Sequence, residues 1–192
     1  MTRKQVWFVF CLALLLLCLG FFPIQSMVAN AALKSTTVNH FFPSGVRSDP
    51  AQAGNCWETS LADPRPDAWR CIVGNTIYDP CFSALQQKSY VICDANPAGD
   101  TRGMKVTFLD SLPASTATKN TARPWILQLS DGTTCTFITG ATALINGERV
   151  NYACNDQSVI PGYPKQGTIW TVRAFHDTSK PPVIASIKTV WT

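Results

Sequence analysis

The stretch that decides the fold reads WILQLSDGTTCTFITGATALINGERVNYAC and spans residues 125–154. Apolar and polar residues alternate on both sides of Asp131-Gly132, which is the pattern of a β-hairpin. A three-residue turn with Gly132 in the left-handed region pairs Leu127 with Cys135 and keeps the apolar side chains on one face. A two-residue turn would move Leu127 out of that register. We therefore expect the three-residue, bulged hairpin.

A second hairpin is marked by Asn146-Gly147, a dipeptide that favours a two-residue turn because both residues tolerate positive φ. The pairs that such a turn predicts are Ala143 with Val150 and Ala141 with Tyr152. The side chains that it leaves on the outer face are those of Arg149 and Asn151. Both hairpins together predict a continuous antiparallel ladder.

The positions of Cys135 and Cys154 show whether this continuous ladder is compatible with a disulfide between them. Continued without interruption, it sets Cys154 opposite Thr139, which lies about 13 Å along the strand from Cys135. A disulfide needs α-carbons within about 7 Å. A Cys135–Cys154 bridge therefore requires a bulge or break near Thr139-Gly140, and the sequence leaves open whether that break occurs.

The remaining pattern also indicates β-structure. Residues 168–175 and 183–191 are two further β-rich runs, and no window after residue 31 has the 3.6-residue periodicity of a helix. The sequence predicts an all-β fold, an antiparallel sandwich or a small barrel built from hairpins. We expect an irregular lead over 32–55 and a single disulfide-containing β domain over 56–192.

The N-terminal 31 residues have the pattern of a signal peptide. Arg3 and Lys4 precede an uncharged apolar run over 6–22, and Ala29-Asn30-Ala31 supplies the small residues of a cleavage site. The run is just long enough for an uncleaved anchor to stay open as an alternative. Both readings place the domain outside the cytoplasm, as a secreted, periplasmic or cell-envelope protein.

An exported domain with an even number of cysteines is expected to form disulfides. The cysteines after the leader are Cys56, Cys71, Cys81, Cys93, Cys135 and Cys154. Their spacing favours two bridges among the first four and a third between the last two. The close C-x2-C pairs typical of zinc sites are missing, so we expect neither a metal nor another cofactor.

The net charge of the exported part limits which kinds of partner this protein is expected to bind. The 161 residues after Ala31 have 14 basic and 12 acidic side chains, a net charge of +2. This balance excludes a strongly basic nucleic-acid binder. Contact with a membrane is expected only through the N-terminal segment, if it is not cleaved.

Aromatic residues are the main candidates for a binding site. Trp57, Trp69 and Tyr78 lie in the cysteine-rich segment, where an exposed set of rings could hold a flat ligand. The alternative for the two tryptophans is packing against a cystine. We expect a non-catalytic binding domain whose partner is an envelope glycan, a protein or a small ligand.

The sequence lacks the common motifs of nucleophilic catalysis. The chain has no G-x-S-x-G or S-x-x-K pattern, so no catalytic residue is assigned. Asp63, Asp67 and Asp79 each adjoin proline or a proline-rich turn and are expected to cap turns. Two alternatives stay open: a small extracellular hydrolase that uses His176 with a nearby carboxylate, and an outward-facing sensor held by an uncleaved anchor.

Several runs carry a resemblance to known sequences. These are CW at 56–57, RPDAWRC at 65–71, YDPCF at 78–82, CTF at 135–137 and YAC at 152–154. They resemble exported, cysteine-containing bacterial proteins that are uncharacterised. The similarity covers most of residues 56–192 and implies no catalytic or binding residue.

Overall fold

The computed structural model describes residues 33–83, 89–108, 111–117 and 123–192. Residues 1–31, for which the sequence predicts a signal peptide or an anchor, lie outside this part of the chain. Within the described ranges, no helix is long and apolar enough to cross a membrane. The regular structure there is entirely β, which confirms the predicted fold class.

The described residues form fourteen strands. In chain order they are β1 (Thr37–Asn39), β2 (Gly45–Val46), β3 (Gln52–Thr59), β4 (Ala68–Val73), β5 (Thr76–Phe82), β6 (Tyr90–Cys93), β7 (Arg102–Phe108), β8 (Ile126–Leu129), β9 (Thr134–Phe137), β10 (Leu144–Ile145), β11 (Glu148–Cys154), β12 (Val159–Pro161), β13 (Thr171–Ala174) and β14 (Val183–Trp191).

The first half of the domain is a closed five-stranded barrel. Each of the strands β3 to β7 pairs antiparallel with the next one in the sequence. The last strand, β7, also pairs with β3 in parallel, which closes the barrel. At Gly54, which pairs with Phe108 in this closure, the neighbours lie very close, since a Cβ there would lie only 2.6 Å from the Ile72 carbonyl oxygen of β4 and 2.8 Å from Val106 Cγ1 of β7. Glycine is therefore needed at this position.

The second half forms another ring of strands. The pairings run β14–β8–β9–β11–β12 and β13–β14, all antiparallel. Val159 and Phe175 then join the β12 and β13 sides through two backbone hydrogen bonds of 3.0 and 2.9 Å. The ring encloses a buried cluster that includes Leu127, Tyr152 and Ile187.

A separate apolar cluster joins the two rings. Phe82 of β5 lies in it with Trp125 and Ile126 from the start of the second ring, and Phe41 packs against Phe82 and Trp125. Leu33–Thr192 accordingly form one compact unit.

The predicted bulged hairpin is confirmed. Leu127 pairs with Cys135, and Gly132 has a φ of +94°. Across the turn, the Leu129 N–H donates a hydrogen bond to the Thr133 carbonyl oxygen, and the Leu129 carbonyl oxygen accepts one from the Gly132 N–H. At Asn146-Gly147 both residues have positive φ, 53° and 80°, as a two-residue turn of this kind requires.

The ladder between the two hairpins is broken, as a Cys135–Cys154 bridge requires. Cys154 pairs directly with Cys135 and Tyr152 with Phe137, so the predicted Ala141–Tyr152 pair is wrong. Residues 139–142 loop out of the ladder, whereas Ile138 still donates to the Asn151 carbonyl oxygen and Ala143 accepts from Val150, as the predicted Ala143–Val150 pair requires. The loop is held in place because Arg149 donates to the carbonyl oxygens of Ile138 and Gly140.

Asn151 was expected on the outer face, and this prediction is wrong. It is 4% exposed, and its side-chain amide donates to the Gly162 carbonyl oxygen at 2.9 Å. The reason is a bulge in β11 between Val150 and Tyr152, opposite β12. A bulge interrupts the strict alternation of side chains between the two faces.

Segment 32–55, expected to be irregular, contains β1, β2 and the start of β3. β1 pairs in parallel with β14, and β2 pairs in parallel with β7. All three residues of β1 are exposed, so no alternation marks the strand. Its partner lies about 150 positions away, which no local pattern reveals.

All six predicted cysteines form disulfides, and each bond joins residues that face each other across two strands. The bonds are Cys56–Cys71, Cys81–Cys93 and Cys135–Cys154. The first two lie in the barrel interior and the third lies in the second ring. Disulfides of this number indicate an oxidising, extracytoplasmic environment.

Candidate ligand-binding surfaces

Trp57 stands exposed on the outer side of the barrel. It occupies a bulge in β3 beside β4, so its ring points away from the buried Cys56, and it is 41% exposed. Its indole N–H donates to Glu58 Oε1 at 3.1 Å, and the Arg70 guanidinium lies 5.4 Å from the ring centre. Arg70 also donates to Glu58 at 3.0 Å. These contacts fix the orientation of the ring.

The same side of the barrel has further exposed groups. Asn55, Ile72 and Ile77 are consecutive partners across β3, β4 and β5, and all three are exposed. Ile72 and Ile77 are 37% and 48% exposed. We call the surface formed by Asn55, Trp57, Arg70, Ile72 and Ile77 the Trp57 face. It combines an exposed indole with apolar and polar neighbours.

The other two predicted ring residues point elsewhere. Trp69 is only 5% exposed, and its indole N–H donates to Ser83 Oγ at 3.0 Å. Tyr78 is half-buried opposite Cys71 and packs against the interior of the barrel. The structure therefore brings Trp57 alone of the three to an exposed face.

Asp79 was expected to cap the turn at its own proline, but it lies within β5 and instead binds the loop at residues 60–62. Its carboxylate accepts hydrogen bonds from the Ser60 hydroxyl and from the backbone N–H groups of Leu61 and Ala62, the latter two at 3.1 and 3.4 Å. Burial raises the pKa of Asp79, and the hydrogen bond from Ser60 opposes that rise.

Asp63 is the most buried acidic group among the described residues. Its side chain is fully buried, and neither carboxyl oxygen has a hydrogen-bond partner in that part of the chain. Arg65 Nε lies 3.4 Å from Asp63 Oδ2, so the two groups form an ion pair, but their geometry is not that of a hydrogen bond. Burial raises the pKa of Asp63 to about 7, although the charge of Arg65 opposes the shift.

Arg65 links this loop to distant segments. Its guanidinium donates to the carbonyl oxygens of Phe41 and Thr192 at 2.6 and 2.9 Å. It also forms an ion pair with Asp67 at 2.9 Å and lies over the Phe82 ring. Its role is therefore structural.

A second aromatic surface lies on the other ring of strands, and sequence reasoning missed it. Tyr163, 49% exposed, stacks on Phe137 with the ring centres 6.1 Å apart and 14° between planes. Arg123 lies 5.0 Å from the Tyr163 ring centre and donates to its hydroxyl at 2.8 Å. Arg149 lies 5.6 Å from the Phe137 ring centre. We call Arg123, Phe137, Arg149 and Tyr163 the Tyr163 surface.

His176 has the nearby carboxylate that the hydrolase alternative needs. Its Nδ1 lies 3.6 Å from Asp156 Oδ2, and its side chain is 57% exposed. The hydroxyl of Ser158 donates to Asp156 instead. In the described part of the chain, no hydroxyl or thiol forms a hydrogen bond with His176.

A cavity of about 520 Å³ lies near this histidine. Its walls include Ile138, Leu144, Val159 and Thr178, the last of which follows His176 by two positions. The walls are mainly apolar, and His176 is not among the lining residues.

The cysteines form the one group of potential metal ligands that lies close together in the described residues. The Sγ atoms of Cys71, Cys81 and Cys93 lie within 4.8 Å of one another. Each belongs to a disulfide, so none is available as a thiolate ligand in the oxidised protein.

Comparisons of this chain with protein families, with curated proteins and with solved structures find no match. The geometry of the surfaces is therefore the basis of the functional proposal.

Proposed function

We propose that this protein is a non-catalytic, extracytoplasmic binding domain and that the Trp57 face contacts the sugar rings of an envelope glycan. The observation that carries the proposal is the exposed indole of Trp57, held in one orientation by Glu58 and Arg70. The disulfides and the N-terminal leader support a location in the cell envelope or outside the cell.

A glycan suits this face for physical reasons. One side of a pyranose ring presents mainly C–H groups, which an exposed indole can shield from water, while the rim of the sugar requires hydrogen bonds. Asn55, exposed two positions before Trp57 on β3, can supply one, and Arg70 lies over the indole although its Nη1 already donates to Glu58. Since the ring is already oriented in the free protein, little side-chain entropy is lost on binding.

The test is a binding measurement with the oxidised, exported protein. The probes are insoluble peptidoglycan in a sedimentation assay and N-acetylglucosamine oligomers in calorimetry. We expect Trp57→Ala to weaken binding by about tenfold or more and Trp57→Phe to retain part of it. The control is Ile184→Ala, which removes another exposed apolar side chain on the second ring of strands.

Circular dichroism and thermal unfolding must show that the variants are folded. Unchanged binding of Trp57→Ala would contradict the proposed face. Failure of the wild-type protein to bind either probe would contradict the glycan assignment.

The hydrolase alternative rests on the 3.6 Å contact between His176 and Asp156. It would replace the proposed function if the wild-type protein cleaved peptidoglycan or an ester substrate and His176→Ala abolished turnover without lowering thermal stability. The geometry favours binding, because a histidine base also needs a nucleophile or a water held within hydrogen-bond reach.

A further inference from the structure

The arginines of this domain fall into two groups. Five of the seven described arginines have a carboxylate within 4.0 Å. These five are Arg47, Arg65, Arg70, Arg102 and Arg173. Within the described ranges, Arg123 and Arg149 form no such ion pair, and both belong to the Tyr163 surface. Two positive charges without an ion-pair partner among the described residues are therefore placed beside stacked aromatic rings.

The acidic group near this surface is already engaged. Glu148 Oε2 lies against Gly162, the residue before Tyr163, at 3.0 Å from where a Cβ would stand. The same oxygen accepts a hydrogen bond from Arg173. Glu148 is thus balanced by Arg173 and forms no ion pair with Arg123 or Arg149 within the described part of the chain.

The two arginines differ in what they can offer. Arg149 uses both terminal nitrogens, donating to Asn151 and to the carbonyl oxygens of Ile138 and Gly140. It contributes charge behind the ring of Phe137 rather than free donors. Arg123 donates from Nη1 to the Tyr163 hydroxyl, which leaves its other donors without a partner among the described residues. Arg123 is therefore the group that can reach a ligand.

We infer that the Tyr163 surface binds an acidic polysaccharide. The guanidinium of Arg123 matches a planar carboxylate on the polymer with two parallel hydrogen bonds. The exposed part of Tyr163 shields the apolar side of the sugar that carries it. A protein surface with two arginines that form no ion pair among the described residues complements such a polymer, whereas a nucleic-acid groove needs a longer basic stripe than this nearly neutral domain provides.

This site is distinct from the Trp57 face. Trp57 belongs to β3 of the barrel, and its neighbour Arg70 is neutralised by Glu58. The inference extends the proposed function, because both treat the protein as a glycan-binding domain. The proposed function and this inference concern different surfaces and different classes of sugar, so an experiment can contradict one of them and support the other.

The experiment measures binding of the full exported protein to immobilised polygalacturonate, with its methyl ester as the matched neutral polymer. We expect binding to polygalacturonate that weakens between about 20 mM and about 300 mM NaCl, since salt screens the charges. Binding to the methyl ester should be at least about tenfold weaker.

The variants locate the site. Arg123→Gln should weaken polygalacturonate binding by about tenfold, and Arg123→Lys by less, because it keeps the charge but loses the paired donors. Lys188→Gln removes one positive charge from an exposed position on β14 and should leave binding within about twofold of the wild type.

Four results would overturn the inference. They are equal binding to the ester and the acid, equal loss in Lys188→Gln and Arg123→Gln, equal binding of a single-stranded oligonucleotide, and no binding of polygalacturonate at low salt. A fifth is loss of polygalacturonate binding in Trp57→Ala, which would assign the acidic polymer to the Trp57 face rather than to the Tyr163 surface.

Discussion

At the scale of single residues, Asp63 has the most unusual environment. It is fully buried beside Arg65 without a hydrogen bond to its carboxyl oxygens among the described residues. Burial raises its pKa from 3.8 to about 7, so the folded protein holds a proton that the unfolded chain loses. Such a group lowers stability as pH rises between the two pKa values, because deprotonation then favours the unfolded state.

We therefore predict that Asp63→Asn becomes more stable relative to the wild type as pH rises. The difference in unfolding free energy should grow from about pH 4 to about pH 7, by at most roughly 1.4 kcal/mol per pH unit, and then level off. Urea unfolding at several pH values measures it. The control is Asp177→Asn, an exposed aspartate whose pKa is lowered by hydrogen bonds from Ser179. A constant difference between Asp63→Asn and wild type would contradict this account.

At the scale of elements, the Asn146-Gly147 turn joins β10 and β11 at the edge of the second ring. A Cβ on Gly147 would meet nothing within 4 Å, yet Gly147 has a φ of +80°. The cost of a side chain there is therefore conformational strain rather than a clash.

We expect Gly147→Ala to lower the free energy of unfolding by about 1 to 2 kcal/mol. Gly140→Ala is the matched control, since its Cβ also meets nothing within 4 Å and its φ is not in the left-handed region. That variant should be neutral or slightly stabilising, because alanine restricts the unfolded chain. Chemical denaturation of both variants measures the difference. Equal losses at the two glycines would show that the turn geometry is not the cause.

At the scale of the whole molecule, the cluster around Phe82 ties the barrel to the second ring. Phe82 is 1% exposed and contacts Phe41 and Trp125, which belong to segments outside the barrel. Phe42 also approaches Phe82, at 6.1 Å between ring centres, but it is 43% exposed. The shared core makes the two halves dependent on each other.

We predict that Phe82→Ala costs about 3 to 5 kcal/mol of stability and lowers amide-exchange protection in both halves. Phe42→Ala should cost less than about 1 kcal/mol, because much of that ring already contacts water. Hydrogen exchange, measured separately for each strand, distinguishes the Phe82→Ala variant from the Phe42→Ala variant. Loss of protection confined to β3–β7 would mean that the second ring folds independently of the barrel.

Much of the fold could be predicted because its signals are local. The turn at Gly132 follows from which register keeps Leu127 and Cys135 on the same face. The short reach of a disulfide shows that a Cys135–Cys154 bridge requires a break in the next ladder, but only the structure shows that the break occurs. Turn residues, side-chain alternation and cysteine spacing act over a few positions, so they were sufficient to predict the β class, the hairpin at Gly132, the turn at Asn146-Gly147 and disulfide formation by the six cysteines. They did not predict which of the first four cysteines pair with each other.

The binding surfaces depend on contacts that no local pattern encodes. Trp57 and Trp69 both flank cysteines, and only a bulge in β3 and the closure of the barrel leave one exposed and the other buried. Arg123 and Tyr163 lie 40 positions apart and meet only when β8, β9, β11 and β12 pair. Tertiary structure decided these features, because long-range pairing is selected by the free energy of the whole domain rather than of any one segment.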